Sequence, residues 1–446
     1  MKSFACLFLL AGTTLCRAET PADPWSQVMS LLGDARPPDV SNQALTLEDV
    51  ERIALSSNPE MEVAARRVAI AESRVPQAGA LDDPSAMYRA WGVPLSEPWN
   101  YNAAQNMFSI SQTMPWPGKR ALRTSVADSS VAIAKAQWRQ TRLEIQVRVR
   151  KAFDDLVLAQ NEMRIHDQHV GIARQAIEAA RIQYSVGRVP QQDILKAQVA
   201  LTRLAEHMIR FDQDAELARA RMNTLMGRDP SAPLRAAATE VPLEKLPVLA
   251  ELESQTLTTR PDLVELREEA ERSRRTRTLA RQAYLPDMTF SGGYMLMPSG
   301  SAFRNNYMAE ASINLPWLNH RKHDSEIAEA GAMVSEQDAE LSAARNSAFG
   351  QIEEALVHAV AAQKLARVYH DELRPQAEAT LQSSVIAYEN NKTGFLDLLD
   401  SQMTVVDVDL AWLQAISDFE KSLADLQLAT GVPIGYSDFP EGKVKP

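Results

Sequence analysis

The histidines are the first residues whose type and spacing could do chemistry. His166 and His169, and His320 and His323, are each three positions apart, so each pair shares a helix face. Metal ions use such spacing, but two imidazoles lack the third and fourth ligands of a stable site. Both pairs are therefore read as solvated or structural, with no metal site and no cofactor. The scattered methionines form no ladder and are assigned to packing. No nucleophile motif, Gly-rich phosphate loop or paired catalytic acid stands in a credible context, so the chain does not read as an enzyme. The remaining candidates are carboxylates, Asp193, Asp397 and Asp400, each just beyond a turn at the start of a helical stretch. On residue type alone they are ordinary solvated helix-start residues.

What positions those carboxylates is a device written twice. QYSVGRVPQQDILKAQ (183–198) and AYENNKTGFLDLLDSQ (387–402) align at an offset of 204 positions, matching Tyr184 with Tyr388, Asp193 with Asp397 and Gln198 with Gln402. Asn58-Pro59 and Pro84 return as Arg260-Pro261 and Pro286, and Pro115-Trp116 returns as Pro316-Trp317. Gly227 returns as Gly431. Repetition at this scale means two stacked copies of one supersecondary unit. The expected organisation is a first repeat over 44–228, a linker over 229–247, a second repeat over 248–434 and a tail over 435–446.

The 446 residues open with Lys2, an apolar run from Phe4 to Leu15 and Cys16-Arg17-Ala18. This is the pattern of a secretory signal over 1–18, followed by an extended segment over 19–43. Cleavage after Ala18 would remove Cys6 and Cys16 and exclude disulfides. Lipidation of Cys16 is the alternative, although Thr14-Leu15 is a poor lipoprotein context. Beyond the signal no apolar run reaches the roughly 20 residues of a spanning helix. An exported chain of this kind is soluble or contributes to a β-barrel. A net charge of −11 argues against nucleic acid as a partner.

Each repeat begins with a helical stretch. The first runs from about Thr46 to Ala80, with Thr46 and Asp49 in a capping pattern and Pro59 as an interruption. Two segments with a strand's period of two follow, near 86–93 and 106–114, and again near 287–296 and 307–315. Ala309, Ala311 and Ile313 alternate with Met308, Glu310 and Ser312. Aromatic residues frame each pair, as in the interfacial girdles of membrane barrels. Next come helices of unusual length, Lys119 to Tyr184 and His320 to Tyr388, about 100 Å at ~1.5 Å per residue. Gly171 and Pro375 weaken them at one repeat-equivalent level. Tips near 185–192 and 389–395 lead into return helices ending at Gly227 and Gly431. Four strands cannot close a barrel, so other copies are needed, and three would give twelve strands.

These residues together resemble the TolC family of outer-membrane efflux proteins, over about 44–434. The stretch SQTMPWPGKR (111–120) resembles the family's heavy-metal cation branch, the CzcC/CusC-like proteins. The resemblance implies a mainly α chain with membrane β: a homotrimer with a 12-stranded barrel in outer-membrane lipid, continued by a long periplasmic α-helical barrel. It implies a passive exit duct, carrying heavy-metal cations or else drugs or small organic molecules. A membrane-fusion adaptor and an inner-membrane pump, of RND type for the metal branch, would complete the system. Carried over by position, Asp397 and Asp400 match the acidic entrance ring, and Asp193 is the first-copy equivalent of Asp397. Tyr388 matches a latch tyrosine, while the expected basic residue is replaced by Thr393 beside Lys392. Gly187, Arg188 and Val189, with Asn391, Thr393 and Gly394, would meet the adaptor. A soluble periplasmic coiled-coil adaptor is the rival from another class.

Overall fold

The computed structural model describes residues 44–434, apart from 188–189, 238–242, 244–245 and 391. The expected signal, the segment over 19–43, the tail over 435–446 and the tip residues Arg188, Val189 and Asn391 lie outside the described residues.

The first helical stretch is two helices, α1 (Leu47–Ser57) and α2 (Pro59–Gly79). The Thr46 side chain accepts a hydrogen bond from the Asp49 N–H and starts α1. The break falls at Asn58-Pro59 because proline cannot supply the N–H that would continue the helix. Asn58 caps the new N-terminus by accepting from the Glu60 N–H, and Pro59 takes the first position, where its missing donor costs nothing. The break recurs at Arg260-Pro261 in the second half, where Pro261 again opens a helix but Arg260 makes no side-chain cap bond. Strands β1 (Ser85–Trp91) and β2 (Gln105–Met114) follow, then α3 (Lys119–Ser185) and α4 (Gln191–Leu225).

The second half runs α5 (Leu249–Thr259), α6 (Pro261–Arg281), β3 (Met288–Leu296) and β4 (Asn305–Ile313). The stretch expected as one helix from His320 to Tyr388 is divided. Helix α7 (His320–Val368) gives way to a π-helical turn, Tyr369–Leu373, and α8 (Arg374–Glu389) resumes with Pro375 in its first turn. The widened turn ends where the proline's absent donor and ring bulk would strain an unbroken ladder. The return helix α9 is Phe395–Thr430. No described helix is long and apolar enough to cross a membrane.

The chain clusters into two compact units. One contains Leu156–Ala218 and Val368–Gln414; the other contains Leu45–Asp155, Arg219–Arg367 and the end of α9. In the first unit, Val170, Ile177, Leu201, Leu204 and Phe395 build a core in which alanines occupy many of the remaining positions. The second unit has a core of Leu252, Ile352, Phe419, Leu423 and Leu426. Small residues let helix backbones approach closely, so contact area replaces side-chain bulk. Gly227 and Gly431 close α4 and α9 with φ of +67° and +71°. A Cβ at either would stand 2.9 Å from the Ser57 carbonyl oxygen or 2.8 Å from the Arg260 Cα. Both therefore combine a left-handed cap with a close backbone approach that only glycine permits. In the segment after α4, Ala236 bridges Leu45, whose N–H donates to the Arg235 carbonyl at 3.0 Å.

The sheet, in the second unit, is antiparallel in the order β1-β2-β3-β4. Its registers place Met87, Arg89, Ser109, Ser111, Ser291, Glu310 and Ser312 on one face. Tyr88, Phe108, Ile110, Phe290, Tyr294, Ala311 and Ile313 lie on the other. Along β2 the side carrying the serines is the more covered one. Ser109 is 6% exposed, whereas Phe108 and Ile110 are 51% and 63% exposed. This is the reverse of a soluble sheet and matches a membrane strand, apolar toward lipid and polar toward a lumen. β1 and β4 each have one free edge.

Candidate functional site at the hairpin tips

The first tip turns through Val186-Gly187, where φ of +73° at Gly187 lets its N–H donate to the Tyr184 carbonyl at 2.9 Å. Pro190 then precedes α4, and Asp193 falls in its first turn. The second tip turns when the Lys392 N–H donates to the Ala387 carbonyl at 2.8 Å. Gly394 N–H donates to the Asp397 carboxylate at 3.2 Å, so Asp397 serves as a cap at the start of α9. An acidic group in a helix's first turn also meets the positive end of its dipole.

The repeat-equivalent carboxylates stand in different surroundings. Asp193 is buried, while Asp397 and Asp400, three positions apart and on one helix face, are exposed. Tyr388 is half-buried, its ring 6.0 Å from that of Phe395, and its hydroxyl has no hydrogen-bond partner. Burial pushes the Tyr388 phenol above its ordinary value, and the charge of Asp193 adds to the rise. The structure therefore packs Tyr388 on the first hairpin's core, close enough to feel Asp193, and leaves Asp397 and Asp400 exposed. Lys392 is exposed, and among the described residues no ion pair joins it to the three aspartates. Gly187 and Gly394 are exposed at the turns, and the Thr393 hydroxyl is buried without a partner.

The same unit contains a polar cluster that the sequence does not advertise. Asp409 of α9 meets Arg374 of α8 at 2.9 Å and His169 of α3 at 3.8 Å. The Arg374 contact is an ion pair without hydrogen-bond alignment. The guanidinium also lies 5.0 Å from the Trp412 ring centre. Arg374 directly follows the π turn, so the cluster fixes the chain where the helix is widened. Pro375 was the only sequence signal pointing there. His166 is fully buried and uses Nε2 against the Leu204 carbonyl at 2.6 Å, with the rings of His207 and Phe211 packed against it. Burial is the main cause that lowers its pKa, with repulsion from His207 and His169. His166 is thus structural and not solvated. His323 packs on Tyr284 and meets Glu326 at 3.0 Å. Among the described residues no group of three or more His, Cys, Asp or Glu is arranged to hold a metal ion.

In the second unit, Lys119 and Arg120 of the PWPGKR stretch are braces. Buried Lys119 donates to the Leu285 carbonyl at 2.7 Å and to Asp287 at 2.8 Å, and Asp287 also accepts from the Trp116 N–H. Arg120 donates to the Gly79 carbonyl at 2.8 and 2.6 Å. The Lys119 and Trp116 bonds join the first repeat's strand-to-helix junction to the start of β3, and the Arg120 bonds join it to the end of α2.

Comparison with known proteins agrees with this architecture. The chain is 24% identical over 374 residues to the cobalt-zinc-cadmium resistance protein CzcC of Cupriavidus metallidurans, covering 83% of this chain and 86% of the relative. Among solved structures, the open state of the Neisseria gonorrhoeae MtrE outer membrane channel superimposes with a TM-score of 0.72 at 20% identity, over 86% of this chain and 88% of that one. CusC, solved in studies of folding and transmembrane channel formation, gives 0.72 at 15% identity, over 88% and 92% of the two chains. The model of the outer membrane efflux protein family matches residues 51–228 and 252–432. A match across both halves removes the soluble adaptor as an alternative. The chain belongs to the outer membrane efflux protein family: it is an outer-membrane efflux channel with a large helical periplasmic portion, and not an enzyme.

Proposed function

We propose that this channel is the exit duct of a tripartite efflux system and that its cargo is heavy-metal cations. The observation that carries the duct is the inside-out sheet with two free edges. Unpaired backbone groups cannot remain in lipid, and three copies of four strands close a twelve-stranded barrel around a polar lumen. Such a passive conduit draws its energy from partners, an inner-membrane pump of the RND type linked by a membrane-fusion adaptor. The repeats over 44–228 and 248–434 would be the two quasi-equivalent staves of each copy. The cargo rests on the likeness to a cobalt-zinc-cadmium resistance protein.

At the periplasmic entrance, Asp397 and Asp400 supply the outward carboxylates. Three copies would set six of them in a ring that attracts cations, as acidic rings do in other pores. Tyr388 and Asp193 hold the second tip against the first, and Lys392 is the cation available to a latch. Gly187, Arg188, Val189, Asn391, Thr393 and Gly394 are the residues that would meet the adaptor. The test of cargo is growth of a deletion strain across copper, silver, zinc, cobalt, nickel, cadmium and a small drug panel. Loss of tolerance to one or two metals, restored by the intact gene, is expected. Sensitivity to drugs alone would keep the channel and overturn the metal assignment.

A further inference from the structure

We infer that the free edges of β1 and β4 join between neighbouring copies in a register that sets Arg89 of one copy beside Glu310 of the next, forming an ion pair on the lumenal face of each seam. The inference rests on the trimeric duct proposed above and specifies how its wall closes.

Charge singles out the pair. β1 contains one charged residue, Arg89; β4 contains one, Glu310; β2 and β3 contain none. Within one chain the two lie on the same face but on opposite edges of the sheet, facing Met107 and Ser291 respectively. Three strand spacings of ~4.8 Å keep them apart. Arg89 has only a 3.7 Å contact to the Met87 sulfur, and Glu310 has no hydrogen bond or ion pair among the described residues. Opposite charges placed on the two unfilled edges, on one face, are complementary across a seam and nowhere else in the sheet.

The internal repeat supplies the register. In the β2–β3 seam, Gln112 is opposite Phe290 and Ser111 is opposite Ser291. Replacing each residue by its repeat equivalent gives the β4–β1 seam, with Ile313 opposite Tyr88 and Ser312 opposite Arg89. Glu310 then occupies the diagonal place next to Arg89, within reach of a long side chain. The two hairpins themselves differ by two residues. Ala86 faces Ile110, but its equivalent Met288 faces Ile313 and not Ala311. The same two-residue slide at the seam sets Glu310 directly opposite Arg89 and overlaps six of the seven β1 residues with β4. Both arrangements keep the faces and make the pair. A one-residue slip would turn Tyr88 toward the lumen and Arg89 into lipid, which the face rule and the cost of a lipid-facing charge exclude.

Closure geometry agrees. Along the ladder Arg89 leads to Met107, then Met295, then Asn306. With Glu310 opposite Arg89, the path meets the next copy four residues further on, at the level of Val93 just past the end of β1. Three such advances over twelve strands, at ~3.3 Å per residue and ~4.8 Å between strands, incline the strands by about 35°. The diagonal arrangement inclines them somewhat more steeply. Outer-membrane barrels tilt by ~35–45°.

The test is Arg89→Cys with Glu310→Cys in the full-length chain, oxidised in isolated outer membranes and run without reductant. Covalent dimers and trimers are expected in more than half of the chains, absent from either single variant. A control, Ala90→Cys with Glu310→Cys, places the thiols on opposite faces and is expected to stay monomeric. Charge exchange provides a second readout. Arg89→Glu should lower the temperature at which the trimer resists detergent, and adding Glu310→Arg should restore it. Cross-linking no greater than the control, in a protein whose native mass is trimeric, overturns the seam and leaves the duct intact. A monomeric native mass overturns the duct and the seam together.

Discussion

The two hairpin tips are copies of one sequence device, yet their chemistry has separated. Phe395 of the second tip is 1% exposed in the core of its unit, whereas its equivalent Gln191 faces solvent. His166 of the first copy is sealed between α3 and α4, while its equivalent His370 is exposed beside Trp412 and Asp371. Asp193 is covered, and Asp397 is open. Duplication preserved the backbone path and released the side chains. The second tip carries both the buried anchor Phe395 and the exposed acids, while the first tip's matching positions are an exposed glutamine and a buried acid.

Phe395→Ala against Gln191→Ala would sharpen this comparison most. Removing a fully buried aromatic costs about 3–5 kcal/mol, while an exposed glutamine should change stability by under about 0.5 kcal/mol. Thermal unfolding of the purified protein measures both. Equal effects would break the asymmetry.

The histidines come next. Because the folded-state pKa of His166 lies below its ordinary 6.5, the unfolded chain binds the proton more readily. Stability is therefore fully present above about 6.5 and declines as pH falls below it, by at most about 1.4 kcal/mol per pH unit. The decline should persist in His370→Ala and flatten in His166→Phe, as read from denaturation midpoints between pH 7.5 and 5. A flat profile in the parent protein would remove His166 from this role.

The smallest energetic effect concerns the acids. Asp397→Ala with Asp400→Ala should weaken block of single-channel conductance by multivalent cations several-fold, about 1 kcal/mol. Asp193→Ala should leave block unchanged, because its carboxylate is turned into the tip. Unchanged block in the double variant would deprive the exposed pair of a selectivity role.

How far the sequence disclosed this arrangement depends on the range of the interactions involved. Helix ends were legible because Asn58-Pro59, Gly227 and Gly431 act within a turn of themselves. Strands β1 to β4 were legible because a period of two survives in Phe108-Ser109-Ile110. The π turn was not, since Pro375 announces a disturbance without saying whether the ladder bends, breaks or widens. The partners of Asp409 were also hidden. Arg374 and His169 reach it from two other helices, and nothing in their spacing encodes the meeting. Lys119 and Arg120 were visible as a motif, but their work as braces depends on Asp287 and the Gly79 carbonyl, far away in sequence. The burial of Asp193 likewise follows from packing between hairpins and not from its position at a helix start.

The inside-out sheet also imposes an order of events. In water its exposed Phe108, Ile110 and Phe290, together with two unpaired edges, form a template for indiscriminate strand addition. The helices carry no such hazard, since their backbone bonds close within each segment. A newly exported chain is therefore safest if its helices form first and its strands remain unpaired until lipid and sister edges are both at hand. Synthesis faster than membrane insertion would then appear first as aggregation through these strands, well before any loss of helical content.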